Sequence, residues 1–445
     1  MFSPPHNLKM SAPLSLSSQQ RASNQAERVA LAKLEEKRKP SRASAYIEYR
    51  NAHPAVETSL YYGFTPLLAP LCISKKDKEK ARELDNQDTT EPFSIAPTLE
   101  ERIAMFRYYE EKNLHEGPQP FMFSAEFLSS GQSKRKPYEH RLSFEIMGGE
   151  KSIAEATLIQ TAFATLREEE HSDLVLFINS VGDRESMNHF TRELGNYYRK
   201  HIAELPQSCK ALLRQDPLLL LKCNHAKCLA LAEAAPKSIG FLGEASRRHF
   251  KEVLEFLEEL EIPYHIDHTL NGNRSFATET LFEIRKKTPE ARLKDPVGQG
   301  DSLCLCSGMR YNNLGKRLGL KHDAPSVGLN LLLTQVGKET PTTRGVRLRR
   351  PSFFFLQLGL CAKLKSLRVI EILRQARIPL YQALSRDKLI SQISSAENLR
   401  IPYSMILGQR EALENSVIIR NTLTRAQETV RLADLVEHVR KMKLG

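Results

Sequence analysis

Long apolar runs are missing from this chain of 445 residues. Stretches such as Leu218–Leu221 and Phe353–Leu356 fall far short of the roughly 20 apolar residues that a bilayer-spanning helix requires, so no membrane partner is expected. Cysteine is scarce and odd in number: seven thiols, at positions 72, 209, 223, 228, 304, 306 and 361. Few, unevenly spaced cysteines in a chain this long fit a reducing, cytoplasmic setting and not a disulfide framework. The N-terminal region holds Pro4, Pro5 and many Ser and Gln, without the apolar segment that a secretory leader needs. Neither a GxxxxGK(S/T) loop nor a strand-borne GxGxxG occurs, which argues against P-loop or dinucleotide binding.

What is present is basic. Lys and Arg number 65 against 53 Asp and Glu, a formal charge of +12, which favours a polyanionic partner, most simply RNA. A basic surface that binds nothing is the plainer alternative. The length exceeds one compact core, so two or three domains are expected, and a hydrophobic fraction of 41% is enough to build them.

Residues 1–45 read as a basic mobile arm, rich in Ser, Gln, Lys and Arg. Residues 46–338 form the large core. In it, Leu99, Ile103 and Phe106 recur at helical spacing within a helix from Thr98 to Lys112. The runs PFMFSAEFL and RLSFEIMG flank the polar GQSKRKPYEH and predict a hairpin with a long basic loop. Phe121–Phe127 and Leu142–Met147 should be adjacent antiparallel strands, with Tyr264–Asp267 and Thr278–Ile284 in the same sheet. Residues 185–262 interrupt the strand pattern as a helical insertion. Residues 339–350 read as a basic linker, and 351–445 as a second domain in which strands such as SFFFLQLG alternate with helices carrying Leu364, Leu367, Ile370 and Leu373. The fold class is α/β (α+β) with a mixed sheet in the C-terminal domain.

Two groups of residues invite a chemical reading. Cys209, Cys223, His225 and Cys228 are zinc-ligand types, but C-x-H-x2-C with one distant fourth ligand lacks the two tight pairs usual for zinc. Helix packing is the preferred account, and no metal is expected. Lys134, Arg135 and Lys136, and Arg344, Arg347, Arg349 and Arg350, could contact phosphates, although a charge run is more often a solvated face.

Several stretches resemble histidyl-tRNA synthetases, class II aminoacyl-tRNA synthetases. YHIDHTLNGNRSFATETLFEI, from Tyr264 to Ile284, matches without gaps a family pattern of the type YEIDPRLVRGLDYYTRTVFEI. GMRYNNL resembles the family's GGRYDGL, CKALLRQDPLLLLKCNHAKC its insertion, and IPYSMILGQREALENSVIIR the last strands of its anticodon-binding domain. The resemblance runs from about residue 60 to the C-terminus. It implies a class II synthetase-like antiparallel sheet core with a helical insertion, a C-terminal anticodon-binding-like α/β domain, and a homodimer.

It also locates what has changed. The arginine of the family's RGLDYY, which contacts the activating carboxylate and phosphate, falls on Gly272; its aspartate becomes Ser275 and its tyrosines Phe276 and Ala277. Arg274 lies two positions away, about 7 Å along a strand. An FRxE-type motif reads Phe127-Leu128-Ser129-Ser130, and a GLER-like helix start reads Leu332-Leu333-Thr334-Gln335. The RPEGT-like segment is Ala96-Pro97-Thr98-Leu99-Glu100, with Thr98 in place of its glutamate and Glu100 or Glu101 nearby. Three lost cations would remove on the order of 10 kcal/mol of transition-state stabilisation. A remnant histidine pocket persists in Glu145, Arg310, Tyr311, His140 and Arg141, with Glu145 matching the glutamate that holds the substrate imidazole. These residues could equally serve sheet packing.

The resulting expectation is a catalytically degenerate paralogue without normal histidine activation, with no catalytic residue assigned, acting as an RNA- or protein-binding module. Its partner would be tRNA or another structured RNA, or a protein. Two alternatives stand: a divergent active ligase using ATP and Mg with relocated arginines (Arg141, Arg274 or Arg310), or a subunit like the synthetase-like partner of ATP phosphoribosyltransferase. No cofactor is expected unless the ligase alternative holds.

Overall fold

The computed structural model describes residues 46–49, 53–67, 74–84, 95–116, 120–129, 139–287, 303–333, 345–383 and 388–442. In chain order its first elements are β1 (Tyr46–Tyr49), α1 (Ala55–Tyr61), β2 (Thr65–Leu67), α2 (Lys75–Leu84) and α3 (Leu99–Glu111). Then come β3 (Phe121–Ser129), β4 (Glu139–Met147), α4 (Ile153–Glu168) and β5 (Leu174–Gly182). Four helices follow: α5 (Arg184–Lys200), α6 (Gln207–Gln215), α7 (Ala226–Ala234) and α8 (Glu244–Glu259). The sheet resumes with β6 (Tyr264–Ile266), β7 (Thr278–Lys286), β8 (Leu303–Tyr311), the short α9 (Leu314–Arg317) and β9 (Ser326–Leu333).

These strands form an eight-stranded sheet in the order β2-β3-β4-β9-β8-β7-β5-β6. Its centre is antiparallel throughout, while β2 on β3 and β6 on β5 are parallel at the two edges. The expected hairpin is present, with Phe121 opposite Met147, and the other two expected segments lie in the same sheet. The helical insertion is present as α5 to α8.

The mostly apolar sequence of α4 explains its place. Every residue from Ile153 to Leu166 is buried, so the helix sits inside the molecule and not on its rim. Its threonines are satisfied locally: the hydroxyls of Thr157, Thr161 and Thr165 donate to the carbonyls of Ile153, Thr157 and Thr161 at 2.8, 2.7 and 2.9 Å.

The C-terminal part comprises β10 (Val346–Arg349), β11 (Phe353–Gln357), α10 (Leu360–Gln375), β12 (Leu380–Gln382), α11 (Leu389–Asn398) and β13 (Tyr403–Leu407). It ends with α12 (Gln409–Glu414), β14 (Ser416–Asn421), β15 (Gln427–Arg431) and α13 (Leu435–Lys441). The sheet order is β12-β11-β13-β14-β15, parallel around β11 and antiparallel from β13 onward, the mixed sheet that was expected. One apolar cluster runs from the large sheet through α4 and α8 into α10 and this smaller sheet. Gln160 of α4 donates to the Leu367 carbonyl of α10 at 3.1 Å, and Arg374 donates to Glu168 at 2.9 Å.

One expectation is revised. The stretch read as linker contains β10, which pairs antiparallel with β1, Arg347 opposite Glu48 and Arg349 opposite Tyr46. The cause is alternation: Val346 and Leu348 are buried in the core while Arg347 and Arg349 face outward.

Candidate functional site

Side chains at i, i+2 and i+4 of a strand share a face, so Arg141, Ser143 and Glu145 of β4 point the same way. Glu145 lies opposite Gly328 and Ser143 opposite Asn330 on β9. A Cβ on Gly328 would collide with the Glu145 carboxylate, so the glycine makes the room that the carboxylate uses. From β8, the Tyr311 hydroxyl donates to Glu145.

Helix α3 lies over this face and inserts Arg102. Thr98 caps the helix: its hydroxyl accepts from the Glu101 amide at 3.2 Å, and the Glu101 carboxylate accepts from the Thr98 amide at 3.0 Å. The reciprocal cap sets the first turn, and Arg102 follows directly. Its guanidinium is fully buried and ion-paired with the equally buried Glu145. It also donates to Asn330 Oδ1 at 3.0 Å and to Ser143 Oγ at 3.3 Å, and lies 5.8 Å from the centre of the Tyr311 ring. Glu101 closes the ring of contacts, accepting from Asn330 Nδ2 at 2.9 Å and pairing with Arg141 at 3.2 Å.

Burial disfavours charge on both central partners. It pushes the Glu145 carboxyl well up, with Glu101 adding to the rise, and brings Arg102 down to about 10. Direct contact between the two offsets that cost. The site is therefore already occupied from within: the carboxylate that could receive a cationic or hydrogen-bonding ligand has an arginine of its own chain in contact. Arg102, Ser143 and Asn330 were not singled out from the sequence. A signal existed, since Leu99, Arg102, Ile103 and Phe106 fall on one helical stripe and the arginine is its single charged member.

Of the five residues assigned to the remnant pocket, Glu145, Tyr311 and Arg141 converge here. Arg310 does not. Adjacent strand residues face opposite ways, so Arg310 turns to α4, where its guanidinium meets Glu155 with both N···O distances 2.5 Å. It donates as well to the Gly149 carbonyl at 2.7 Å, and His249 sits 2.7 Å from the same carboxylate. Burial would raise Glu155, but Arg310 and then His249 outweigh it and hold the carboxyl at about 2. The side chain of His140 lies outside the described residues.

The stretch matching the RGLDYY pattern forms the link from β6 to β7. Gly272 has a φ of +58°, and a Cβ there would meet Leu281 Cδ2 and lie 2.9 Å from Ala277 Cβ, so the position that aligns with the family's arginine has no room for a side chain. Gly272→Arg is expected to lower stability by about 2 kcal/mol through strain and overpacking; an unchanged urea midpoint would contradict this. Arg274 pairs with Asp216 of the insertion at 3.3 Å. The three arginines that could have been relocated are thus each committed to a carboxylate: Arg141 to Glu101, Arg274 to Asp216 and Arg310 to Glu155. The side chain of Leu128, and Gln335, lie outside the described residues.

Of the phosphate-contact candidates, Lys134, Arg135, Lys136 and Arg344 lie outside the described residues. Arg347, Arg349 and Arg350 are exposed. Arg347 stacks over the Tyr46 ring at 3.9 Å and lies 3.7 Å from Glu48.

Comparison with known proteins supplies the context. The anticodon binding domain family matches residues 362–442. A histidine–tRNA ligase of Halothermothrix orenii is 28% identical over 310 residues, 68% of this chain and 70% of that protein. One of Dehalococcoides mccartyi is 26% identical over 315 residues, 70% of this chain and 72% of the relative. The crystal structure of apo S. aureus histidyl-tRNA synthetase covers 97% of this chain and 100% of its own, at 21% identity and a TM-score of 0.46. No described helix is long and apolar enough to cross a membrane. The chain is thus similar to histidine–tRNA ligases over 68–70% of its length and matches the anticodon binding domain family at residues 362–442, and the class II synthetase-like core with its helical insertion and the mixed-sheet C-terminal domain accord with these sequence matches.

Proposed function

We propose that this chain is a histidyl-tRNA synthetase-family protein that binds tRNA-like RNA and does not activate histidine. The observation carrying the second part is the buried pair of Arg102 and Glu145. By the family resemblance Glu145 is the carboxylate that would hold the substrate imidazole, and here it is matched by an internal cation. Three further features point the same way: Thr98 where the resemblance places a carboxylate for the substrate amino group, Gly272 without room for an arginine, and three candidate substitute arginines paired elsewhere. Adenylate formation depends on cations placed where phosphate charge develops.

RNA binding draws support from the anticodon binding domain match and the net charge of +12. The β1–β10 ribbon presents Arg347 and Arg349 on its outer face, with Arg350 following. The match at residues 362–442 also weighs against the phosphoribosyltransferase-subunit reading, because that partner lacks an anticodon-binding domain in the family pattern.

The test is ATP–pyrophosphate exchange with histidine, run beside gel shifts with bulk tRNA. Exchange is expected to stay at background, while tRNA is retarded at low salt and released as salt rises. Replacing Arg347, Arg349 and Arg350 with Ala should weaken binding across RNA sequences alike and flatten the salt slope by up to about 3. Histidine-dependent exchange would establish the active-ligase alternative. No retardation at low salt would move the assignment to a protein-binding role.

A further inference from the structure

The insertion gathers three thiols that the sequence spacing leaves apart. Cys209 lies in the first turn of α6, Cys223 ends the 3-10 turn Pro217–Lys222, and Cys228 lies in the first turn of α7. Their sulfurs are all within 4.8 Å of one another, with Cys209 and Cys223 at 3.6 Å. A tetrahedral zinc–thiolate site with bonds of about 2.3 Å has sulfur–sulfur edges of about 3.8 Å, so the trio has the dimensions of one face of such a site. Cys209 and Cys228 are buried and Cys223 is half-buried, all three as free thiols. Ordinary core packing gives no reason for three separate elements to deliver sulfur to one point.

A neighbour supports the reading. The Tyr198 hydroxyl is buried and has no hydrogen-bond partner among the described residues. Burial raises it, Tyr197 adds to the rise, and the nearby Cys228 and Cys223 contribute after that. An orphaned donor beside neutral thiols is costly; beside metal-bound sulfur it gains an anionic shell to face.

We propose that Cys209, Cys223 and Cys228 bind one Zn2+ as three thiolates, with the fourth position open to water or to His225. His225 is the exposed N-cap of α7, its Nδ1 accepting from the Lys227 amide at 3.3 Å; to ligate through Nε2 it would exchange that weak cap bond for the Nδ1–H tautomer. Binding replaces three S–H bonds by three Zn–S bonds and releases a proton from each thiol that is protonated beforehand, so affinity rises with pH. The ion joins α6, the 3-10 turn and α7. That region in turn holds the β6–β7 link, through Asn271 donating to the Leu218 carbonyl at 3.0 Å and Arg274 pairing with Asp216 at 3.3 Å.

The experiment uses the full chain, treated with chelator under reducing conditions and titrated with Co2+. An intense sulfur-to-cobalt charge-transfer absorption should grow to saturation at one equivalent, with visible bands of a tetrahedral ion, and Zn2+ should abolish it. His225→Ala should keep the charge-transfer band, since sulfur produces it, and Cys209→Ser should reduce it. The wild-type titration decides the matter even if the serine variant fails to fold. Absence of the band at stoichiometric cobalt, with thiols that react with Ellman's reagent equally with and without Zn2+, would overturn the proposal.

Discussion

Arg102→Ala should lower the unfolding free energy by about 3–5 kcal/mol, the range for removing one partner of a buried ion pair. The reason is what remains: Glu145 is fully buried on the sheet face, and burial without Arg102 drives its carboxyl further toward the protonated form. Asn330 and Ser143 lose a donor as well. Glu145→Ala should cost a similar amount, for the mirror-image reason that it strands a guanidinium. A double replacement of the pair, Arg102→Met with Glu145→Leu, should recover most of the loss, because well-packed apolar groups of similar volume can be neutral or stabilising at such sites. The recovery stops about 1 kcal/mol short, since the Tyr311 hydroxyl then has no acceptor. Urea unfolding of the four proteins gives the cycle. Single variants each within 1 kcal/mol of wild type would mean that the pair is not the locked core described, and the case against a substrate-ready pocket would weaken with it.

The second large effect is acid sensitivity through Glu155. Its carboxyl is held at about 2 against an ordinary value of 4.5, so its folded value is depressed. A depressed carboxylate contributes stability that is complete above the unfolded value and fades as pH falls through the folded one. The window is therefore from about 4.5 down to about 2, and at 1.36 kcal/mol per pH unit the contribution is roughly 3 kcal/mol. His249 works in the opposite window: burial lowers it but Glu155 raises it on balance, so its contribution is present at low pH and lost as pH rises through its folded value. Glu279 also favours its charged form and Arg310 disfavours it. Glu155→Gln should destabilise the protein by about 3 kcal/mol at neutral pH and remove that part of the pH dependence. Urea midpoints of both proteins between pH 6 and pH 3 should converge as pH falls. Parallel curves across that range would refute the assignment.

Local pattern was enough for much of the architecture. The hairpin of Phe121–Ser129 with Glu139–Met147 and the helical insertion follow from alternation and helical spacing, while the placing of Tyr264–Ile266 and Thr278–Lys286 in the same sheet follows from the family resemblance. The mixed-sheet C-terminal domain follows likewise from strands alternating with helices, and the family resemblance added its anticodon-binding character. β10 escaped because its four residues carry two arginines, and only pairing with β1 explains them. The same applies to the sites. Arg102 reads as one more charge on a charged helix until α3 is laid over β4 and β9, 41 and 228 residues away from its partners. Adjacent Arg310 and Tyr311 look like one pocket in sequence, yet a strand sends them to opposite faces. The cysteines at 209, 223 and 228 lack zinc-like spacing, and they meet because the 3-10 turn folds the chain back. Periodicity encodes which face a residue joins; which distant charge or thiol it meets there depends on how the helices and sheets pack together.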